Sequence, residues 1–392
     1  MTSSVVCALL LAAPAGWSPV VPARAGDPRP IDSVPFDADE PGTYVLTGDL
    51  GPCGAAYGIR ILADGVVIDL GGFALEGGLG SGPGIVAPGA AEGVVVRDGR
   101  IAGWGGDGIA LGEVAGVELR MLSLHDNAGH GAHLGERARL SDCSSEFNHG
   151  GRGILTGAGA TLARCTARDN EYGGLFTGAG STLLECSAEG SFYGSGIESG
   201  PDAVLRDCRA LENRAGGIRV GAGSLVSGCR ASANLFFGIE AGAEAIVRSC
   251  RVRGSVDGSG IVIGRGGWAE DCEVGGNRRR GIDLAADSIA RGCTVRGNGQ
   301  AGLRARAGCR LLRNTCESNG GAGIELVGGG ATVDGNVFAS NKAKDLLAPG
   351  RGHFVVRNTL AKGRAVLGGG GFVAPFSDRD DPERGPLDNL RP

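Results

Sequence analysis

Apolar and polar positions alternate along most of this chain, and the alternation restarts at a fixed interval. In Ala245-Ile-Val-Arg-Ser-Cys250-Arg-Val252, the Cys and the Val two residues later fall on one face. Ala188, Ala210, Ala231 and Val295 take that second slot in other copies. A second segment, Gly-Ile-x-Leu, turns its Ile and the residue two later one way and x the other. A side-chain period of two belongs to a β-strand. No segment sustains a period of 3.6, so almost no helix is expected.

The interval is read from the cysteines. Cys143, Cys165, Cys186, Cys208, Cys229, Cys250, Cys272 and Cys293 lie 21 or 22 residues apart, and Asn314, Asn336 and Asn358 continue the column. Five residues after most of them comes Asn (Asn148, Asn170, Asn213, Asn234, Asn277, Asn298, Asn319, Asn341), with Ser191 and Ser255 substituting twice. A Gly-aliphatic pair follows, from Gly108-Ile109 to Gly323-Ile324. Such a period means one supersecondary unit stacked on its neighbours. The expected fold is all-β: a right-handed parallel β-helix of about a dozen coils, three short strands each. With parallel strands about 4.8 Å apart, the rod is on the order of 60 Å long. The solenoid is placed at 58–360, after a cap region at 26–57 and before a polar tail at 361–392. Asn is expected to take left-handed backbone at the bends and to bond through its amide to the next rung.

Composition narrows the options. Gly contributes 76 and Pro 16 of 392 residues, but without Gly at every third position collagen is excluded. Aromatics are only 5%, which suits a narrow interior lined by Ala, Val, Ile, Leu and Cys. The net charge of −5 argues against nucleic acid as a partner. Val5–Ala13 is a short apolar run ending upstream of Ala23-Arg24-Ala25, the pattern of an export signal over residues 1–25. No later apolar run is long enough for a membrane span. An exported monomer, periplasmic, cell-surface or extracellular, is expected.

The Val66-Val-Ile-Asp-Leu70-Gly-Gly-Phe-Ala-Leu75 segment and the Cys/Asn-x4-Asn…Gly-Ile-x-Leu repeat resemble the secreted pectin-lyase-like right-handed parallel β-helix superfamily over roughly residues 40 to 360. The resemblance implies the fold and leaves activity open, because the superfamily includes lyases, hydrolases, epimerases, adhesins and periplasmic metal-handling proteins. The Asn-Thr-Asp and Arg-Ile-Lys motifs of its polygalacturonases and the Asp-Pro-His-Asp motif of its alginate epimerases are missing, so no catalytic residue carries over.

Three features could carry chemistry. The stacked thiols all point one way, whereas zinc needs ligands converging tetrahedrally, so no metal site is expected and the column reads as small buried apolar groups. Cys53 and Cys309, off the column, are the candidates for pairing. On the outward row of the Gly-Ile-x-Leu strand, Glu198, Arg219 and Glu240 alternate in sign, as do Asp283, Arg304 and Glu325, which predicts charge pairs between rungs. Finally, Asp107, His130 and Arg152 fall at one position of successive coils, with His133 outward on the next strand. Such a row could hold an anionic sugar and move a proton, because His titrates near neutrality and Arg binds carboxylates. Tyr172, Phe176 and Tyr193 nearby could form a platform for a sugar face. The leading expectation is a surface or periplasmic module that contacts polysaccharide without cofactor. The alternatives are a polysaccharide lyase or glycoside hydrolase acting on an acidic glycan around His130, with calcium as a lyase's cation, and a purely structural rod.

Overall fold

The computed structural model describes residues 27–360, 365–373 and 377–378. The export signal expected at 1–25 lies outside them. Every regular element among the described residues is a β-strand, so no helix there is long and apolar enough to cross a membrane. Most strands are three to five residues long, and the strand pairings among the described residues are parallel, each strand bonding to the equivalent strand of the next coil. Two sheets result. A narrow sheet of 16 strands runs from Phe36–Ala38 to Ala365–Leu367, and a broad sheet of 31 strands carries the other two strands of each coil. The broad sheet is continuous because Val95–Ala102 and Glu118–His125 run through both of its columns. There are more rungs than the regular repeat indicates, since the less regular coils at 29–102 and the strands after Leu360 stack on the same ladder.

Inside, residues one repeat apart lie on top of one another. The column Ile154, Leu175, Ile197, Ile218, Ile239, Ile261, Ile282 is in register and fully buried or nearly so. Facing it, the slot two after Cys or Asn is filled by Ala167, Ala188, Ala210 and Ala231, then by the larger Val252, Val274 and Val295, and finally by Cys316 and Phe338. The first coils are filled differently: Trp104 is 1% exposed and donates from Nε1 to the Leu75 carbonyl at 3.1 Å. Removing a ring of that size from a closed interior costs about 3–5 kcal/mol.

The bends correct one expectation. The Asn residues are buried inside the coil, and left-handed backbone falls on the residue before them: Phe147, Asp169, Glu212, Ala233, Ser318 and Ser340 have φ of 51–54° or 55°, and Gly190, Gly254, Gly276 and Gly297 take the same place. The left-handed residue reverses the chain so that the next side chain points inward, where its amide reaches the adjoining rung. Thus Asn148 donates from Nδ2 to Asn170 Oδ1 at 2.7 Å, and Asn277, Asn298, Asn319 and Asn341 link in the same manner. A second ladder runs through Asn314, Asn336 and Asn358.

The described cysteines are all free thiols, Cys53 and Cys309 included. Those two are separated along the rod, Cys53 in the first coils and Cys309 about twelve rungs on, so they cannot pair. Column thiols lie close to backbone carbonyls instead, as Cys293 does at 3.4 Å from Ala269 O.

Candidate functional site

The outward face of the narrow sheet, and the bends that lead into it, form the site. Asp107, His130 and Arg152 occupy equivalent bends on three successive coils, and each is tied to the next. Asp107 Oδ1 accepts the His130 backbone N–H at 2.7 Å, and His130 Nδ1 accepts the Arg152 backbone N–H at 2.9 Å. Both contacts depend on glycine. A Cβ on Gly129 would lie 2.2 Å from Asp107 Oδ1, and one on Gly151 would lie 2.7 Å from His130 Nδ1. With Nδ1 accepting, the neutral imidazole of His130 carries its proton on Nε2. Burial, reinforced by the neighbouring His133 and Arg152 charges, holds the His130 ring below the ordinary histidine value despite the pull of Asp107. His133 stands outward on the following strand, its Nδ1 3.7 Å from Asp107 Oδ2 and its ring 5.5 Å from that of His130. At that distance the contact is an ion pair, and the Asp107 carboxylate raises His133 above the usual imidazole range against the opposing effect of burial. Burial pushes the Asp107 carboxyl up, but the two histidines outweigh it and leave it below the usual carboxylate value.

Arg152 extends across two rungs. Its guanidinium lies over the Phe176 ring at 4.0 Å, and Nη2 is 3.6 Å from Glu198 Oε2. Glu198 is therefore taken by Arg152, while Arg219 bonds Glu240 at 2.8 Å, so the expected Glu198–Arg219 pairing does not form. The Asp283–Arg304–Glu325 row does line up, with 3.7 and 3.8 Å separations. Two of the three candidate rings meet: Tyr172 and Tyr193 are exposed, with centroids 5.7 Å apart. Phe176 is covered by Arg152 and offers no free ring face on that side.

An open groove of about 640 Å³ lies here, lined by His130, Arg152, Glu198, Tyr172, Tyr193 and Phe236. Gly150, Gly151 and Gly194 lie along it. The remaining clustered histidines stay out of it: His125 Nδ1 bonds Asp126 at 2.8 Å, and His149 lies 3.8 Å from the same carboxylate. Among the described residues no group of three His, Cys, Asp or Glu side chains converges to hold a metal ion. Chemically the groove offers a guanidinium for an anion, tyrosine rings for a sugar face, and an imidazole with an N–H donor. Glu198 and Phe236 as groove walls were not foreseen as site residues. Phe236 shares the slot two after Asn with Tyr172, which is the signal that could have found it.

Residues 154–290 match the family model described as "Right handed beta helix region". That match, the parallel strand pairing and the repeat fit the pectin-lyase-like right-handed parallel β-helix superfamily. No curated protein matches the sequence. Solved structures of similar course include the A-module of mannuronan C-5 epimerase AlgE6 from Azotobacter vinelandii, at 13% identity over 90% of this chain and 89% of that one, with a TM-score of 0.34. The catalytic domain of a GH87 alpha-1,3-glucanase, in complex with tetrasaccharides, is 11% identical over 81% of this chain and 64% of that one, TM-score 0.40. The Dettilon tailspike protein is 16% identical over 86% and 60%, TM-score 0.34. Likeness of this degree carries nothing about chemistry.

Proposed function

We propose that this is an exported β-helix protein whose groove binds a polysaccharide strand, an acidic one by preference. The observation that supports it is the Tyr172–Tyr193 pair, two exposed rings 5.7 Å apart that line the same groove as Arg152. Aromatic faces stack on the apolar face of a sugar ring, and a guanidinium fork matches a carboxylate. The test is affinity for oligouronates and for neutral oligosaccharides by calorimetry. Tyr193→Ala should weaken oligouronate binding about tenfold, equivalent to ~1.4 kcal/mol, and Arg152→Ala should remove the preference for acidic chains while keeping its backbone N–H. Unchanged affinity in Tyr193→Ala would defeat this reading.

One observation favours a second reading, a lyase or hydrolase: His130 is held neutral beside the Asp107–His133 pair, an arrangement suited to proton transfer. Incubating the protein with uronate polymers, with and without calcium, decides it. Unsaturated product or new reducing ends, abolished in His130→Gln, would make the protein an enzyme. Their absence under both conditions leaves it a binding module.

A further inference from the structure

On the broad sheet, away from the groove, arginines stack on one another with few acidic partners. Arg209, Arg230 and Arg251 are in register on three successive rungs, all exposed. Like charges directly opposite one another destabilise a sheet. Elsewhere the protein relieves that repulsion with an acid on the adjoining rung, as at Asp142–Arg164, Arg168–Glu189 and Arg219–Glu240. Here only Arg251 is relieved, by Glu273 at 2.7 Å. Among the described residues no carboxylate lies within 4.0 Å of Arg206, Arg209 or Arg230, and Arg248 reaches only the Ser227 hydroxyl, at 3.4 Å. Asp207 and Glu212 sit in the bends beside the row without pairing to it. Parallel to the cations runs an exposed apolar stripe in which Ile246 and Trp268 are in register.

We infer that this arginine row, with the stripe beside it, is a second binding site, and that its ligand is a linear acidic polysaccharide lying along the rod axis. The row repeats every rung, about 4.8 Å, which suits a polymer bearing anions at regular intervals, and Trp268 supplies a face for its sugar rings. Acidic bends border the row and Glu270 and Glu273 end it, so the cationic surface is a line and fits a polymer better than a planar bilayer. The chain lacks the overall basic excess that nucleic-acid binding asks for, with a net charge of −5. The site stands apart from the groove reading.

The experiment uses the full chain carrying Tyr193→Ala, which takes the outer ring from the groove. Binding of polyuronate and of a sulfated polysaccharide is measured against salt concentration. Binding should persist, weaken steeply as salt rises, and fall at least tenfold in Arg209→Ser/Arg230→Ser. Arg230→Glu recreates the alternation found at Arg219–Glu240, so its thermal midpoint should hold or rise while polyanion binding falls; this separates a lost site from a damaged fold. The inference is overturned if Tyr193→Ala alone removes all polyanion binding, if Arg230→Glu binds as tightly as its parent, or if phosphatidylglycerol vesicles or single-stranded DNA are bound in preference to polyuronate.

Discussion

Two imidazoles 5.5 Å apart are pushed in opposite directions, and that sets a pH signature. His133 is raised above 6.5 by Asp107, so its ion pair stabilises the fold fully below pH 6.5 and the benefit is lost as pH climbs through the folded value. His130 is lowered below 6.5 by burial; the unfolded chain takes up that proton first, so stability falls as pH drops from 6.5 toward the folded value. NMR titration of the ring protons should give His133 a midpoint above 6.5 and His130 one below it. Asp107→Asn should return His133 toward 6.5 and still accept the His130 N–H through its amide oxygen. A wild-type His133 midpoint at or under 6.5 would show that the ion pair does not form in solution. Much of this arrangement was legible, because residues one period apart must sit side by side, and Asp107, His130 and Arg152 do. The reach of Arg152 over Phe176 to Glu198 was not, because a long side chain that crosses two rungs leaves no trace in column arithmetic.

At the level of one ladder, the Asn column turns a repeated letter into cross-rung hydrogen bonds, and its two exceptions are instructive. Ser191 and Ser255 receive an Asn Oδ1 on their backbone N–H, from Asn213 and Asn277, yet their hydroxyls are buried without partners. The ladder is cut there, and the backbone N–H groups of Asn170 and Asn234 lack the amide oxygen that caps their equivalents at Asn148 and Asn213. Ser255→Asn should restore the link from Asn234 to Asn277 and stabilise the protein by ~1 kcal/mol, the net worth of a buried hydrogen bond. A denaturant midpoint that falls would mean the coil at 255 is too tight for the longer side chain. The periodicity revealed which columns exist, but not which residue in each bend bears the left-handed strain. Gly, Asp, Glu, Ala, Ser and Phe all occupy that position, and their diversity hid it, whereas the invariant-looking Asn beside it drew the assignment.

Taken whole, the molecule is a one-dimensional stack in which each coil packs almost entirely on its neighbours, so stability is close to a sum over coils and their interfaces. Such a rod should open from an end more readily than from its middle. The cysteine column makes that measurable, because it places one buried thiol on each of eight successive rungs from Cys143 to Cys293. Burial also pushes the Cys309 and Cys316 thiols up, so neither is a thiolate near neutral pH until its coil opens. Under native conditions a thiol reagent should therefore reach the half-buried Cys53 first. The column should then label at graded rates, resolved by mass spectrometry of the digested protein, with Cys293 and Cys316 ahead of Cys208 and Cys229. The opposite end should resist, because Trp104 fills the first coils and ties them by hydrogen bonds to Leu75 and Asn127. Equal rates at every rung would mean that the rod unfolds as one cooperative unit. In that case the interior columns couple distant coils, and the nearest-neighbour description fails.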